Sequence, residues 1–399
     1  MSLWLRVVGF RLHRGTTWIM LSTMRSSSNA LLFAPIQLRD LTLANRIMVS
    51  PMCQYSARDG CATDWHLMHL GQFAVSGVGL LMVEMTNVEA RGRISPFCLG
   101  LYDDATERAL RRVVTFCQRY AESPLGVQLA HAGRKASTLP PWQGREPISI
   151  GDGGWETVAP SALAQRVGVP VPRALEVSEI ADIVDAFAEA ATRADRIGFA
   201  AIELHAAHGY LLHQFLSPLS NRRRDQYGGS LHNRMRVVLE VFSVVRDAWP
   251  QHKPIGVRVS ATDWLHDGWS LDDTVVLANA LKALGCDWID ASSGGLADDQ
   301  SIPVAAGYQA PFAERIRRAT GIATVVIGMI TDSNHAERIL QSGQADMVAL
   351  ARGMLYDPRW VRHAADALGA TVGYPKQYLR CQPSVRGDLF KTQSPRRGT

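Results

Sequence analysis

Eight short apolar runs, each ending in polar or glycine residues, constrain this chain more than any other feature. They are RIMVSPM (46–52), LLMVEMT (80–86), PLGVQLA (124–130), AAIELHA (200–206), PIGVRVS (254–260), DWIDASS (287–293), ATVVIGM (323–329) and DMVALAR (346–352). Between several of them lie stretches with helical apolar spacing, including 178–198, 270–285 and 334–343, which open near Ser, Asp or Asn and close on or near Gly. Parallel strands need a long crossover, so strand–helix alternation specifies a parallel sheet with helices on its faces. Eight such units predict an α/β fold closed as a (β/α)8 TIM barrel. The alternative, an open doubly wound sheet, is weakened because no GxGxxG follows the first strand.

Two segments break the repeat: 131–175, rich in Gly, Pro and Trp, and SPLSNRRRDQYGGSLHNR (217–234). Long insertions in a barrel decorate the carboxyl ends of the strands, so both are expected to be active-face loops. The chain divides into an N-terminal arm or transit-like extension (1–30), a barrel with a C-terminal arm (31–380) and a tail expected to be disordered (381–399).

The net charge of +5 sits at the ends. Residues 1–30 carry four Arg and no acid, residues 380–399 carry five basic residues against Asp388, and the body from 31 to 379 is left at −3. A body of that sign lacks the cationic face that nucleic acid requires. No apolar run approaches the roughly 20 residues of a membrane span, so neither nucleic acid nor membrane is expected as a partner. Six cysteines without a CxxC pair or zinc-ligand spacing suit a reducing compartment, cytoplasmic, or an organelle matrix if residues 1–30 are a transit peptide.

In a barrel, residues remote in sequence meet at one mouth. The strand ends offer Cys53, Tyr55, Glu84, Gln128, His131, His205, His208, Tyr210, Ser292, Gly328 and Arg352. Arg258 lies inside an apolar strand, where an unpaired guanidinium is costly. It faces either a strand carboxylate such as Glu84 or Glu203, or an electron-rich ligand. The loops VIGMITD and ALARGML place glycines beside prospective helix starts, where barrels commonly bind phosphate. HAAHGY (205–210) admits three readings: metal ligation, oxyanion binding by both imidazoles with Tyr210 as proton donor, or loop packing. The other strand ends offer few metal ligands, and no metal is expected.

With those residues in view, the sequence resembles the old yellow enzyme family of FMN-dependent ene-reductases, in the branch typified by YqjM and xenobiotic reductase A. The resemblance runs from about Phe33 to Arg380 and rests on NRIMVSPMCQYS (45–56), VQLAHAGRK (127–135), IELHAAHGYLLHQFLSPLSNRRRDQYGG (202–229), IGVRVSATD (255–263), VIGMITD (326–332) and KQYLR (376–380). It implies an NAD(P)H-dependent enzyme that reduces the C=C bond of α,β-unsaturated carbonyl or nitro compounds by hydride transfer from reduced FMN. In that reading Pro51, Met52, Cys53 and Met85 line the flavin, Gln128 binds its pyrimidine edge and Arg258 sits by N1 and O2. Gly328, Met329, Ala351 and Arg352 hold the phosphate. His205 and His208 hold the substrate oxygen, Tyr55 shapes the pocket and Tyr210 protonates the α-carbon. The resemblance also implies a homodimer or homotetramer in which Arg380 reaches a neighbouring subunit's site. Met85, in place of a small alanine, and Ala351, in place of glycine, depart from the pattern. The rivals are another FMN barrel, a dienoyl-CoA reductase or dihydrouridine synthase, and a flavin-binding sensor without turnover.

Overall fold

Each of the eight apolar runs is a strand in the computed structural model, which describes residues 30–386. In chain order they are β1 (Ile47–Val49), β2 (Leu80–Asn87), β3 (Leu125–Ala130), β4 (Ala201–Ala206), β5 (Ile255–Ser260), β6 (Trp288–Ser292), β7 (Ala323–Val326) and β8 (Met347–Leu350). All neighbours pair in parallel, β8 returns to β1, and the sheet closes. The protein is a (β/α)8 barrel. Residues 1–29 and 387–399, with most of the N-terminal arm and of the tail after 380, lie outside the described residues.

Several strands stop earlier than their apolar runs. β1 leaves the sheet at Ser50, before Pro51, which has no N–H to give to a ladder. β7 ends at Val326, ahead of Gly328 at φ 129° and Met329 at φ 51°. Helices run outside the barrel: α1 (Asp64–Ala74), α2 (Asp104–Tyr120), α3 (Val177–Ile197), the short α4 (Leu211–Leu216), α5 (Leu231–Ala248), α6 (Leu271–Ala283), α7 (Ala310–Thr320), α8 (Ser333–Gln341), α9 (Arg352–Tyr356) and α10 (Trp360–Leu368). The three helical stretches expected from spacing are α3, α6 and α8. Ser270 caps α6 by accepting from Asp273 N, and α3 stops where Gly198 turns left-handed at φ 99°.

The lower half of the barrel is plugged by apolar side chains. Met48, Leu80, Met82, Trp288, Val325 and Met347 pack together with Leu38 and Leu43 of an N-terminal hairpin (Ile36–Leu38 with Leu41–Leu43). Trp288 lies opposite Gly256, whose absent Cβ would fall 1.9 Å from the indole. Nothing larger than glycine fits there. With the bottom filled, chemistry is confined to the carboxyl mouth. Among the described residues no helix is long and apolar enough to cross a membrane.

Candidate active site

The β4 loop is held in a tense conformation. His208 sits at φ 57°, a region unusual for a residue with a side chain, and Gly209 follows at φ 71°. A Cβ on Gly209 would fall 2.3 Å from the Gly295 carbonyl, and one on Gly295 would fall 2.7 Å from His208 Cα, so the β4 and β6 loops touch backbone to backbone. Lys135 ties them: its ammonium donates to the carbonyls of His208 and Gly295, both at 2.9 Å. It also stands 5.2 Å from the Tyr210 ring centre. Burial pulls its pKa down to about 8.

This frame collects the three residues of HAAHGY. His208 Nδ1 lies 3.4 Å from His205 Nε2, and the Tyr210 ring stands edge-on to His205. His208 Nε2 is 2.7 Å from Ser292 Oγ. Ser293 supplies the short bond to Gln309 Oε1, at 2.7 Å against 3.4 Å from Ser292, which frees the Ser292 hydroxyl to donate to His208. That assignment puts the His208 proton on Nδ1. Burial, then the positive charge of Arg258, drives the pKa of both histidines well below the usual value, so both rings are neutral. Burial raises the Tyr210 pKa well above that of a free phenol, and the hydroxyl keeps its proton.

Cys53, Tyr55 and Tyr210 pack against one small apolar cluster that includes Met85, Cys98 and Ala132. Burial holds the Cys53 thiol protonated. Tyr55 adopts φ 49° and meets Trp142 of the 131–175 excursion edge to face, with ring centroids 5.8 Å apart. Glu84 shapes this wall from behind. The β2–β3 register slips between Val83 and Met85, and Glu84 accepts from Gln54 N at 3.0 Å while lying 3.3 Å from His66 Nε2. A slip of this kind beside a site lets two adjacent residues serve different partners. Pro51 and Met52 occupy the half-buried turn after β1.

Arg258 is paired in register with His205 on one side and Asp290 on the other. Its Nη1 donates to Ser50 Oγ at 3.0 Å, and its Nε lies 3.4 Å from Asp290 Oδ2. The carboxylate at ion-pair distance is therefore Asp290, with Glu203 interacting with the guanidinium from further off. Glu203, wholly buried, accepts from Gln128 Nε2 at 2.8 Å and Trp288 Nε1 at 3.3 Å. Burial, reinforced by Asp290, pushes Glu203 up to about 8 and raises Asp290 as well. Near neutrality one guanidinium serves two acids, and Glu203 keeps its proton.

On the far rim, Gly328 at φ 129° and Met329 at φ 51° shape the β7 loop, and a Cβ on Gly328 would fall 3.0 Å from the Tyr308 ring. Arg352 opens α9 after Ala351 and reaches Met329 Sδ at 3.0 Å. No carboxylate pairs with it among the described residues. Arg380 lies on the exposed turn Lys376–Cys381 of the C-terminal arm. That arm is anchored by Tyr374 and Tyr378 stacking on Arg362. His131 turns to Glu89 at 2.7 Å and to Gly133 N, a loop-holding role.

Sequence reading passed over Lys135, Asp290 and Trp142 as site residues. Only Lys135 carried a signal, a lysine two residues past a glycine at a strand end. Asp290 became visible through strand register alone.

A closed parallel barrel with a plugged floor, whose mouth carries a neutral histidine pair, a high-pKa phenol and a buried arginine, defines an oxidoreductase of the flavin-barrel class. The chain belongs to the NADH:flavin oxidoreductase / NADH oxidase family, which it matches over residues 31–370. It is 45% identical to an NADPH dehydrogenase of Listeria innocua, covering 88% of this chain and 98% of the relative. It is 44% identical to an NADH:flavin oxidoreductase of Gibberella zeae, covering 88% and 89%. Among solved structures, morphinone reductase aligns with a TM-score of 0.73 at 29% identity over 90% of this chain and 93% of that one. An old yellow enzyme homologue from Zymomonas mobilis gives 0.70 at 25% over 86% and 94%. The protein is an FMN-dependent oxidoreductase that takes its electrons from NADH or NADPH.

The mouth fits that cofactor chemically. His205 Nδ1 and Arg258 Nε are buried polar atoms without a hydrogen-bond partner among the described residues.

Proposed function

We propose that this protein is an ene-reductase that uses NAD(P)H to reduce the C=C bond of α,β-unsaturated carbonyl or nitro compounds. The observation that carries the reading is the cluster of a buried His205 with the half-buried His208 and Tyr210, all neutral, the rings of His208 and Tyr210 each centred 5.1 Å from that of His205. FMN, when bound, supplies the hydride for the electron-poor β-carbon. As that bond forms, negative charge grows on the substrate oxygen. His205 and His208 hold this oxygen, whose seating replaces the long His–His contact with charge-assisted hydrogen bonds. Tyr210 keeps a proton available for the α-carbon, and Lys135, close to its ring, stabilises the phenolate that proton loss leaves.

Pro51, Met52, Cys53 and Met85 line the flavin ring in this reading, and Tyr55 with Trp142 walls the substrate. Gln128 spends its amide N–H on Glu203, which leaves its carbonyl oxygen to accept from the pyrimidine edge. Arg258 faces the N1 and O2 edge. Gly328, Met329, Ala351 and Arg352 bind the phosphate. Arg380 extends to a neighbouring subunit's mouth in a dimer or dimer-based tetramer.

The test is NADPH oxidation by purified, FMN-loaded protein with and without 2-cyclohexenone under nitrogen. Enone-dependent consumption supports the reading. Flavin reduction by NADPH without enone-dependent reoxidation would instead favour a sensor or another oxidant.

A further inference from the structure

The 131–175 excursion encloses a second cavity of about 270 Å³ beside the mouth. Its apolar walls are Pro147, Ile148, Trp155, Val169 and Pro170. Trp155 also packs, with Ala136, against the cluster that holds Tyr55 and Tyr210, so the cavity adjoins the histidine site through one shared wall.

Three arginines line it against one acid. Arg134 is committed to the carbonyls of Leu163, Ala164 and Leu296. Glu156 is engaged by Arg173 at 3.0 Å. Arg166 has only long ion pairs, 3.5 Å to Glu146 and 3.9 Å to Asp298. Arg145 makes no ion pair among the described residues, is held at φ 62°, and is close enough to the mouth to act electrostatically on Tyr55, Tyr210 and Lys135. Two cations with unused hydrogen-bonding capacity beside an apolar slot match a flat heterocycle carrying a phosphate.

We propose that this cavity seats the adenosine 2′-phosphate end of NADPH, with Arg145 and Arg166 as its anion contacts, so that the enzyme prefers NADPH over NADH. The inference rests on the ene-reductase reading for the placement of the nicotinamide end. Both arginines are exposed, and Arg166 acts on none of His205, His208, Tyr210 and Lys135, so its removal leaves the chemistry of the mouth in place.

The experiment compares 2′,5′-ADP with 5′-AMP by calorimetry, alongside stopped-flow reduction of the flavin by NADPH and by NADH. In the parent protein 2′,5′-ADP is expected to bind at least tenfold more tightly. Arg145→Ala and Arg166→Ala are each expected to weaken 2′,5′-ADP about tenfold, as loss of a charge-assisted hydrogen bond does. Each raises the half-saturating NADPH concentration to match, and in Arg166→Ala the limiting rate, the NADH reaction and reoxidation by 2-cyclohexenone stay unchanged. Equal affinity for the two nucleotides, or variants that keep the parent's NADPH to NADH ratio, would overturn the proposal. Protein that binds 2′,5′-ADP through Arg145 yet shows no enone-dependent reoxidation would retain the nucleotide site and remove the ene-reductase reading.

Discussion

His205 and Tyr210 pack edge to face, with ring centroids 5.1 Å apart and planes inclined by 69°. One ring in this contact is a neutral imidazole and the other a phenol whose proton is held tightly, so the oxygen-binding and proton-donating roles proposed for them fall side by side, five residues apart in the chain. Tyr210→Phe keeps the ring and deletes the proton. Reoxidation of the reduced enzyme by 2-cyclohexenone is expected to slow by about 10²–10⁴-fold, with reduction by NADPH unaffected. Stopped-flow measurement of the two half-reactions checks this, and equal slowing of both would contradict a proton-donor role.

A phenolate imitates the charged oxygen of the reaction, so phenols should bind where the substrate does. His205→Ala is expected to weaken p-hydroxybenzaldehyde binding, read from the charge-transfer band, and to lower enone turnover by about 10²–10³-fold. Unchanged phenol affinity would remove His205 from the oxygen site.

Asp290 lies 3.4 Å from Arg258, and on the proposed reading it bears on the flavin through that guanidinium. Asp290→Asn leaves the guanidinium charge less compensated, which favours an anionic flavin. The FMN reduction potential is expected to move positive, and the affinity for sulfite, whose adduct is anionic, to rise about tenfold, roughly 1.4 kcal/mol. Thermal unfolding of the same variant separates this from simple loss of fold.

Acid stability follows from the histidine pair. Both folded pKa values lie below the usual 6.5, so the unfolded chain takes up protons that the folded chain refuses. Stability is therefore present above that pH and lost as pH falls below it, by up to ~1.4 kcal/mol for each unit of depression traversed. The urea midpoint of the parent is expected to drop from pH 7 to pH 5, and His208→Asn should make that drop shallower. Parallel pH profiles for the two proteins would show that His208 is not held neutral.

The barrel floor gives a test of fold alone. Gly256→Ala puts a methyl into the Trp288 indole and is expected to destabilise by about 1–3 kcal/mol, read as a lowered denaturation midpoint. The paired change Gly256→Ala with Trp288→Leu should recover part of that loss.

The barrel was legible because each strand is buried on both faces and must read as a continuous apolar run, whatever its partner. Strand ends were less legible than strands: Pro51 and Gly328 cut β1 and β7 short of their apolar runs. The histidines and Tyr210 stood out because polar residues directly after an apolar strand have few structural uses. Gln128 showed its position but not its bond, since its Glu203 partner lies 75 residues away and is chosen by the β3–β4 register.

From the order of its residues alone this chain determined eight strand–helix units, a parallel sheet and a set of polar residues bound for one end of it. Closure of the barrel decided the rest. It chose Asp290 as the neighbour of Arg258, brought Lys135 against two loops that are distant in sequence, and pressed Gly209 against Gly295 to fix the turn that carries His208. Periodicity is a property of neighbours along the chain, whereas charge pairing, burial and the pKa values they set belong to neighbours in space, which exist only once the ring of strands has closed.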